Sequence, residues 1–337
     1  MSSSLFSVPY NDDFSLLERI VEIKNLNGNR IEEVYFSGPQ EYFGSGRVVE
    51  RVTIEDIIKV IKFCKENGIK TNLLLNSSCE GIDWYSPLNV SKVLKLIEIL
   101  HLENGLNGVT VANPLFIQKI RKEFPKLEIT ASVLAQIDSV QRAMFFKRFG
   151  CDVITPDRDI NRNLELLKEI KEVGCELKLM VNEGCLFRCP YRIFHYNFTS
   201  HDSKELNRDI NRGIFTDNCS LIFKIDPSQI LKSCWIRPED VPKYKKITNR
   251  FKIAGRQIKD TQKILKIIKG YMNFSYEGNL LDLFEAGISG FKNRFNVFID
   301  NKNIGDNFFQ KVTSCDKNCF GCKFCEELAK KVIKIKT

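Results

Sequence analysis

The chain has 337 residues, 43% hydrophobic and 11% aromatic, and its 51 Lys and Arg against 42 Asp and Glu leave a net charge of +9. That apolar content supplies a full core and excludes disorder as the overall state. No run approaches the roughly 18 apolar residues of a membrane span, and MSSSLFSVPYNDDF has neither the basic start nor the apolar core of a signal peptide, so a cytoplasmic chain is expected.

Strand-like segments fall at 33–38 (EVYFSG), 70–76, 108–113, 127–133, 152–155, 176–181, 230–235 (ILKSCW) and 250–255 (RFKIAG). Most are separated by stretches such as TIEDIIKVIKFCKEN, SKVLKLIEIL and NLELLKEIKEV, whose apolar residues recur at three- and four-residue steps. Eight such units with short joints predict an α/β chain folded as a TIM-like (β/α)8 barrel. No glycine-rich phosphate turn follows an early strand, which argues against an open doubly wound sheet. The barrel is expected over 1–273, with a small cysteine-rich C-terminal extension over 274–337. Only the connection 182–228 breaks the rhythm. It shows no clear helical period across its middle, and so long an insertion is usually functional.

Twelve cysteines without a secretion signal point to metal or redox chemistry rather than a disulfide scaffold. The tail carries Cys315-x3-Cys319-x2-Cys322-x2-Cys325, four thiols close enough to wrap a cubane cluster or one zinc. The spacing resembles that of ferredoxins, so a [4Fe-4S] cluster is expected, with zinc as the alternative. A second, dispersed set is Cys185, Cys189, Cys219 and Cys234. On the predicted barrel these stand at C-terminal strand ends or in the long insertion, where active sites are built. Thiolates there would select an iron–sulfur cluster or zinc. Cys79, after the second predicted strand, is a reserve ligand, while Cys64, Cys151 and Cys175 lie in a helix or at the opposite face.

The same predicted mouth gathers polar residues. Glu183, Arg188 and His195 are the catalytic candidates, His195 as a group able to move protons near neutral pH. Asn113, Asp157, Arg158, Tyr191, Arg192, Arg237 and Arg256 are the substrate-binding candidates, because converging guanidinium groups suit a carboxylate or phosphate. The densest basic stretch, KYKKITNRFKIAGRQIK at 243–259, suggests RNA contact.

NEGCLFRCPYRIFHYNF, LKSCWIRPEDVPKY, FKIAGR and TPDRDINRN together resemble the peptidase U32 family over about residues 30–260. The resemblance implies a TIM-like barrel. Several members, first described as collagenase-type peptidases, are similar to oxygen-independent hydroxylation factors with a [4Fe-4S] cluster, acting on tRNA or ribosomal RNA bases or on quinone precursors. Carried over, Cys185, Cys189, Cys219 and Cys234 would be cluster ligands, and Arg256 would lie in the last strand motif. The cysteine spacing differs from the better-known members, and the tail is not their usual appendage. The expectation is an enzyme with two [4Fe-4S] clusters, performing hydroxylation or related redox or group-transfer chemistry on a tRNA base or a small aromatic or anionic substrate. An electron-donor protein is expected as partner, with a homo- or hetero-oligomer also allowed and no membrane. The alternatives are a U32-type peptidase, or a cluster-bearing RNA-binding or redox-sensing protein.

Overall fold

The computed structural model describes residues 3–47, 51–204 and 209–335. Eight parallel strands close on themselves: β1 Leu5–Pro9, β2 Asn29–Ser37, β3 Lys70–Leu75, β4 Gly108–Val111, β5 Glu128–Ala131, β6 Val153–Ile154, β7 Glu176–Met180 and β8 Arg250–Lys252. Each pairs with its neighbour, and Leu5 of β1 lies opposite both Arg30 of β2 and Arg250 of β8, which shuts the barrel. The (β/α)8 expectation therefore holds.

Helices α1 Phe14–Glu22, α2 Ile54–Glu66, α3 Pro87–Glu98, α4 Pro114–Glu123, α5 Val140–Phe149 and α6 Leu164–Lys171 wrap the outside. Their starts are written locally. Thr53 and Asp56 form a reciprocal capping box, Asp13 caps through the Ser15 amide, and Ser86 and Asn113 cap helices that begin with proline.

One predicted strand is wrong, and one strand was missed. Residues 230–235 are not in the sheet. After α7 Arg192–Asp202 and α8 Ile214–Ile225, the chain forms the short helix α9 Ser228–Lys232. Asp226 initiates it by accepting from the Ser228 amide and hydroxyl, and Trp235 Nε1 donates back to the Ile230 carbonyl at 2.7 Å. Its place in the barrel is taken by β1. The connection 182–228 is likewise more helical than its sequence period suggested, since α7 and α8 fill much of it.

After β8 come α10 Thr261–Met272, α11 Gly287–Phe295, α12 Asn307–Thr313 and α13 Phe324–Val332. An antiparallel pair, β9 Val297–Ile299 and β10 Ile333–Ile335, ties the segment together. Its apolar residues join the main core: Phe291 packs on Phe223 of α8 with ring centroids 5.7 Å apart, and Phe308 stacks on Trp235 at 5.5 Å.

The barrel interior is unusually polar for a fold normally filled by branched aliphatics. Lys178 of β7, 1% exposed, forms an ion pair with Glu33 of β2. Ser7 donates to Glu33 at 2.6 Å, and Thr110 donates to Asn72 at 2.7 Å.

Candidate functional site

The C-terminal end of β7 is pinned before it reaches the cysteines. Asn182 donates to the Ala254 and Leu283 carbonyls and accepts from the Ala254 amide, fixing β7 to the chain after β8 and to the C-terminal segment. Gly184 then passes so close to the start of α11 that a Cβ there would lie 2.8 Å from the Ile288 Cβ. Four residues later in this turn, Arg188 adopts a left-handed φ of 49° and its amide donates to Asp159 at 2.9 Å.

These restraints bring three of the four dispersed thiols together. Cys219 of α8 donates a hydrogen bond to Cys189, which draws the Cys189 thiol down and pushes that of Cys219 up. Cys185 interacts electrostatically with both. Burial pushes the Cys185 thiol up, and the buried Arg158 guanidinium is the strongest opposing influence. Cys234 stands apart: its main electrostatic neighbours are Arg162, Asp159, Lys317 and Arg158 rather than another thiol. Among the described residues no group of His, Cys, Asp or Glu is spaced to hold a metal ion as it stands. The donor set nonetheless fits an anionic thiolate-ligated group, with soft sulfur ligands beside a buried cation.

Around the thiols runs a lattice of buried ion pairs. Glu183 accepts from Arg47 at 2.7 Å and Arg158 at 2.9 Å, which together hold its carboxyl down at about 2. Arg158 also donates to the Tyr196 hydroxyl at 2.6 Å. Arg192 bridges Asp157 at 2.8 Å and Asp159 at 2.5 Å. Arg47 reaches Glu285, from the C-terminal segment, at 3.8 Å. Residues 38–47 thereby fold across the barrel mouth. They are held by amide donation from Gly44 to Glu80, Ser45 to Ser203 and Gly46 to Asn76.

The tail cysteines also lie near one another. Cys315, Cys319, Cys322 and Cys325 line one depression with Arg162, Lys232, Lys311 and Lys317. Four thiols ringed by four cations fit a cluster carrying net negative charge, or a tetrahedral zinc. Phe187, between Cys185 and Cys189, lines the same depression, and Lys317 interacts with both Cys234 and Cys315. The two cysteine sets are thus neighbours.

The remaining candidates divide. Tyr191 packs near Phe215, while the Arg188 side chain is 59% exposed and pairs with Asp138 at 3.6 Å. Asn113 caps α4 and lines an aromatic-walled groove with Trp84, Tyr85 and Phe145. Arg237 does not reach the mouth: it pairs with Asp240, donates to the Ile304 carbonyl and stacks over Phe308. His195 stacks on Phe215 at 4.9 Å, and burial, then Arg47, pushes its ring down to about 4, so it is neutral at neutral pH. Within the basic stretch 243–259, Arg250, Lys252 and Arg256 are buried, while Lys243, Lys246 and Lys259 are exposed. Sequence reasoning missed Arg47, Glu285, Tyr35 and Lys252, all of which line the cavity at the mouth.

The peptidase family U32 model matches residues 19–292. A protein of Methanocaldococcus jannaschii named as an uncharacterized protease is 31% identical, spanning 98% of this chain and 100% of its own. The tRNA hydroxylation protein P1 of Bacillus subtilis is 25% identical over 56% of this chain and 41% of its own. A solved U32 peptidase structure superposes with a TM-score of 0.55 at 19% identity, covering 76% of this chain and 93% of that one, which supports the barrel. By the extent of the family match and the full-length similarity, the chain belongs to peptidase family U32.

Proposed function

We propose that the chain is an iron–sulfur enzyme that carries out oxygen-independent hydroxylation, or related redox or group-transfer chemistry, on a tRNA base or a small aromatic or anionic substrate. The observation that carries the reading is the meeting of Cys185, Cys189 and Cys219 beside buried Arg158 at the barrel mouth. The similarity to a protein named for tRNA hydroxylation supports the reaction class. Cys185, Cys189 and Cys219 would hold one [4Fe-4S] cluster, with Cys234, which stands apart from them, as the fourth ligand. Cys315, Cys319, Cys322 and Cys325 would hold a second, with zinc as that site's alternative occupant. Such clusters, when bound, supply one-electron redox capacity.

The chain's own residues do the rest. Arg158 sets positive charge against the thiolates and shares Glu183 with Arg47, while residues 38–47 cover the mouth and limit water. The closeness of the tail depression to Phe187 and Lys317 suits electron delivery from a donor protein through the tail.

The test is a Cys185→Ser/Cys189→Ser variant, assayed by nucleoside mass spectrometry of tRNA from cells lacking the gene. Loss of a hydroxylated nucleoside, with the tail's iron absorbance retained, is expected; retained product contradicts the reading. A peptidase reading rests on the relatives' names. It requires His195 to activate a neighbouring thiol, and its ring instead stacks on Phe215.

A further inference from the structure

The charges that line the cavity at the barrel mouth do not balance. Arg47, Lys252 and Arg256 line it with only two carboxylates, Glu183 and Glu285. Glu183 is shared with a fourth cation, Arg158, and both carboxylates already face Arg47. Among the described residues, no carboxylate lies within 4 Å of the Lys252 ammonium or the Arg256 guanidinium. Arg256 donates only to the hydroxyls of Ser37 and Ser45. Lys252, 5% exposed, has its ammonium 4.0 Å from the centroid of the Tyr35 ring, and Tyr35 spends its hydroxyl on the Ile253 carbonyl. The contrast within the strand is informative. Arg250, two residues before Lys252, is equally buried but meets Glu32 at 2.9 Å and Glu128 at 3.0 Å. A buried cation without a partner is costly, and an anion that fills the cavity removes that cost.

We propose that Lys252 and Arg256 form an anion subsite at the floor of the mouth, and that it takes the carboxylate group of a small organic molecule. The Lys252 ammonium, which no carboxylate meets, and the Arg256 guanidinium, bonded only to hydroxyls, can each take one oxygen of a carboxylate. The proposal rests on the mouth being the reaction chamber. Its test reads binding rather than turnover, so its failure is distinguishable from failure of the cluster chemistry.

The state of the lysine gives the test its signature. Burial first, then Lys178 and Arg256, lower the Lys252 amine to about 7, with Glu33 the opposing influence. Tyr35, Glu183, Glu285 and Arg47 complete its charged and titratable surroundings. A carboxylate seated beside the amine restores the ammonium, so binding at pH 8.5 takes up about one proton.

Benzoate and inorganic phosphate are titrated calorimetrically into the anaerobically purified full chain at pH 8.5, in two buffers of different ionisation heat. The expected result is benzoate binding with proton uptake. Affinity falls roughly tenfold or more in Lys252→Met and in Arg256→Met, while Lys252→Arg keeps affinity and loses the uptake. In anion-free buffer at pH 8.5 Lys252→Met raises Tm, because the buried amine must give up its proton on folding. Benzoate affinity equal in all variants, binding of phosphate alone, no binding at all, or a lower Tm in Lys252→Met would each overturn the proposal.

Discussion

At the scale of single residues, the interior of the barrel is governed by charges that have found partners and two cations, Lys252 and Arg256, that meet no carboxylate. Burial alone would raise the Glu33 carboxyl, but the Lys178 ammonium, the Ser7 hydroxyl and Lys252 together hold it down at about 2. Its folded value lies below the ordinary 4.5, so its contribution is present above pH 4.5 and is lost as the pH falls toward 2. Lys178→Met strands that carboxylate and costs about 3–5 kcal/mol by urea denaturation at pH 7, and Lys178→Met/Glu33→Gln recovers most of the loss. Lys252 works in the opposite direction. Its folded value of about 7 lies below the ordinary 10.5, so the folded chain releases a proton. Its contribution to stability therefore rises from about pH 7 to 10.5, and Lys252→Met flattens that part of the pH–stability curve.

At the scale of elements, the strap 38–47 and the turn after β7 decide what the mouth can do. A Cβ on Gly44 would lie 2.5 Å from Glu80 Oε1 and 3.0 Å from the Ser200 carbonyl. Gly44→Ala therefore lifts the strap, lowers stability by about 1–3 kcal/mol, and speeds hydrogen exchange at the Ser45 and Gly46 amides; unchanged exchange there would contradict the strap's role. Seven of the eight barrel strands were legible from their apolar runs and flanking turns. LFSVP, only five residues long and ending in proline, gave too weak a period, while ILKSCW had a strand's composition but followed the helix start Asp226-Pro227-Ser228. The tail cysteines were readable because close thiol spacing is a strong local signal, whereas the dispersed set was placed by predicted strand ends, and Cys234 follows no strand. Lys252 and Arg256 were not readable, since a basic run ordinarily faces water. Arg47 and Glu285 reach the mouth from distant segments, and no local pattern announces such a meeting.

At the scale of the whole molecule, the C-terminal segment is joined to the barrel's working end. Glu285 enters the mouth, Arg237 holds the Ile304 carbonyl, and the tail depression borders the turn that carries Cys185 and Cys189. Tail and mouth are thus neighbours, as the proposed electron path requires, and no helix of the described residues is long and apolar enough to cross a membrane. Replacing Cys315, Cys319, Cys322 and Cys325 together by serine is expected to leave the barrel folded, with a Tm near that of the parent, while removing half of the bound iron. The central claim is tested most directly by iron, acid-labile sulfide and zinc per chain in anaerobically purified protein. The account predicts about eight iron and eight sulfide, or about four of each with one zinc if the tail holds zinc. Zinc with negligible iron would contradict it.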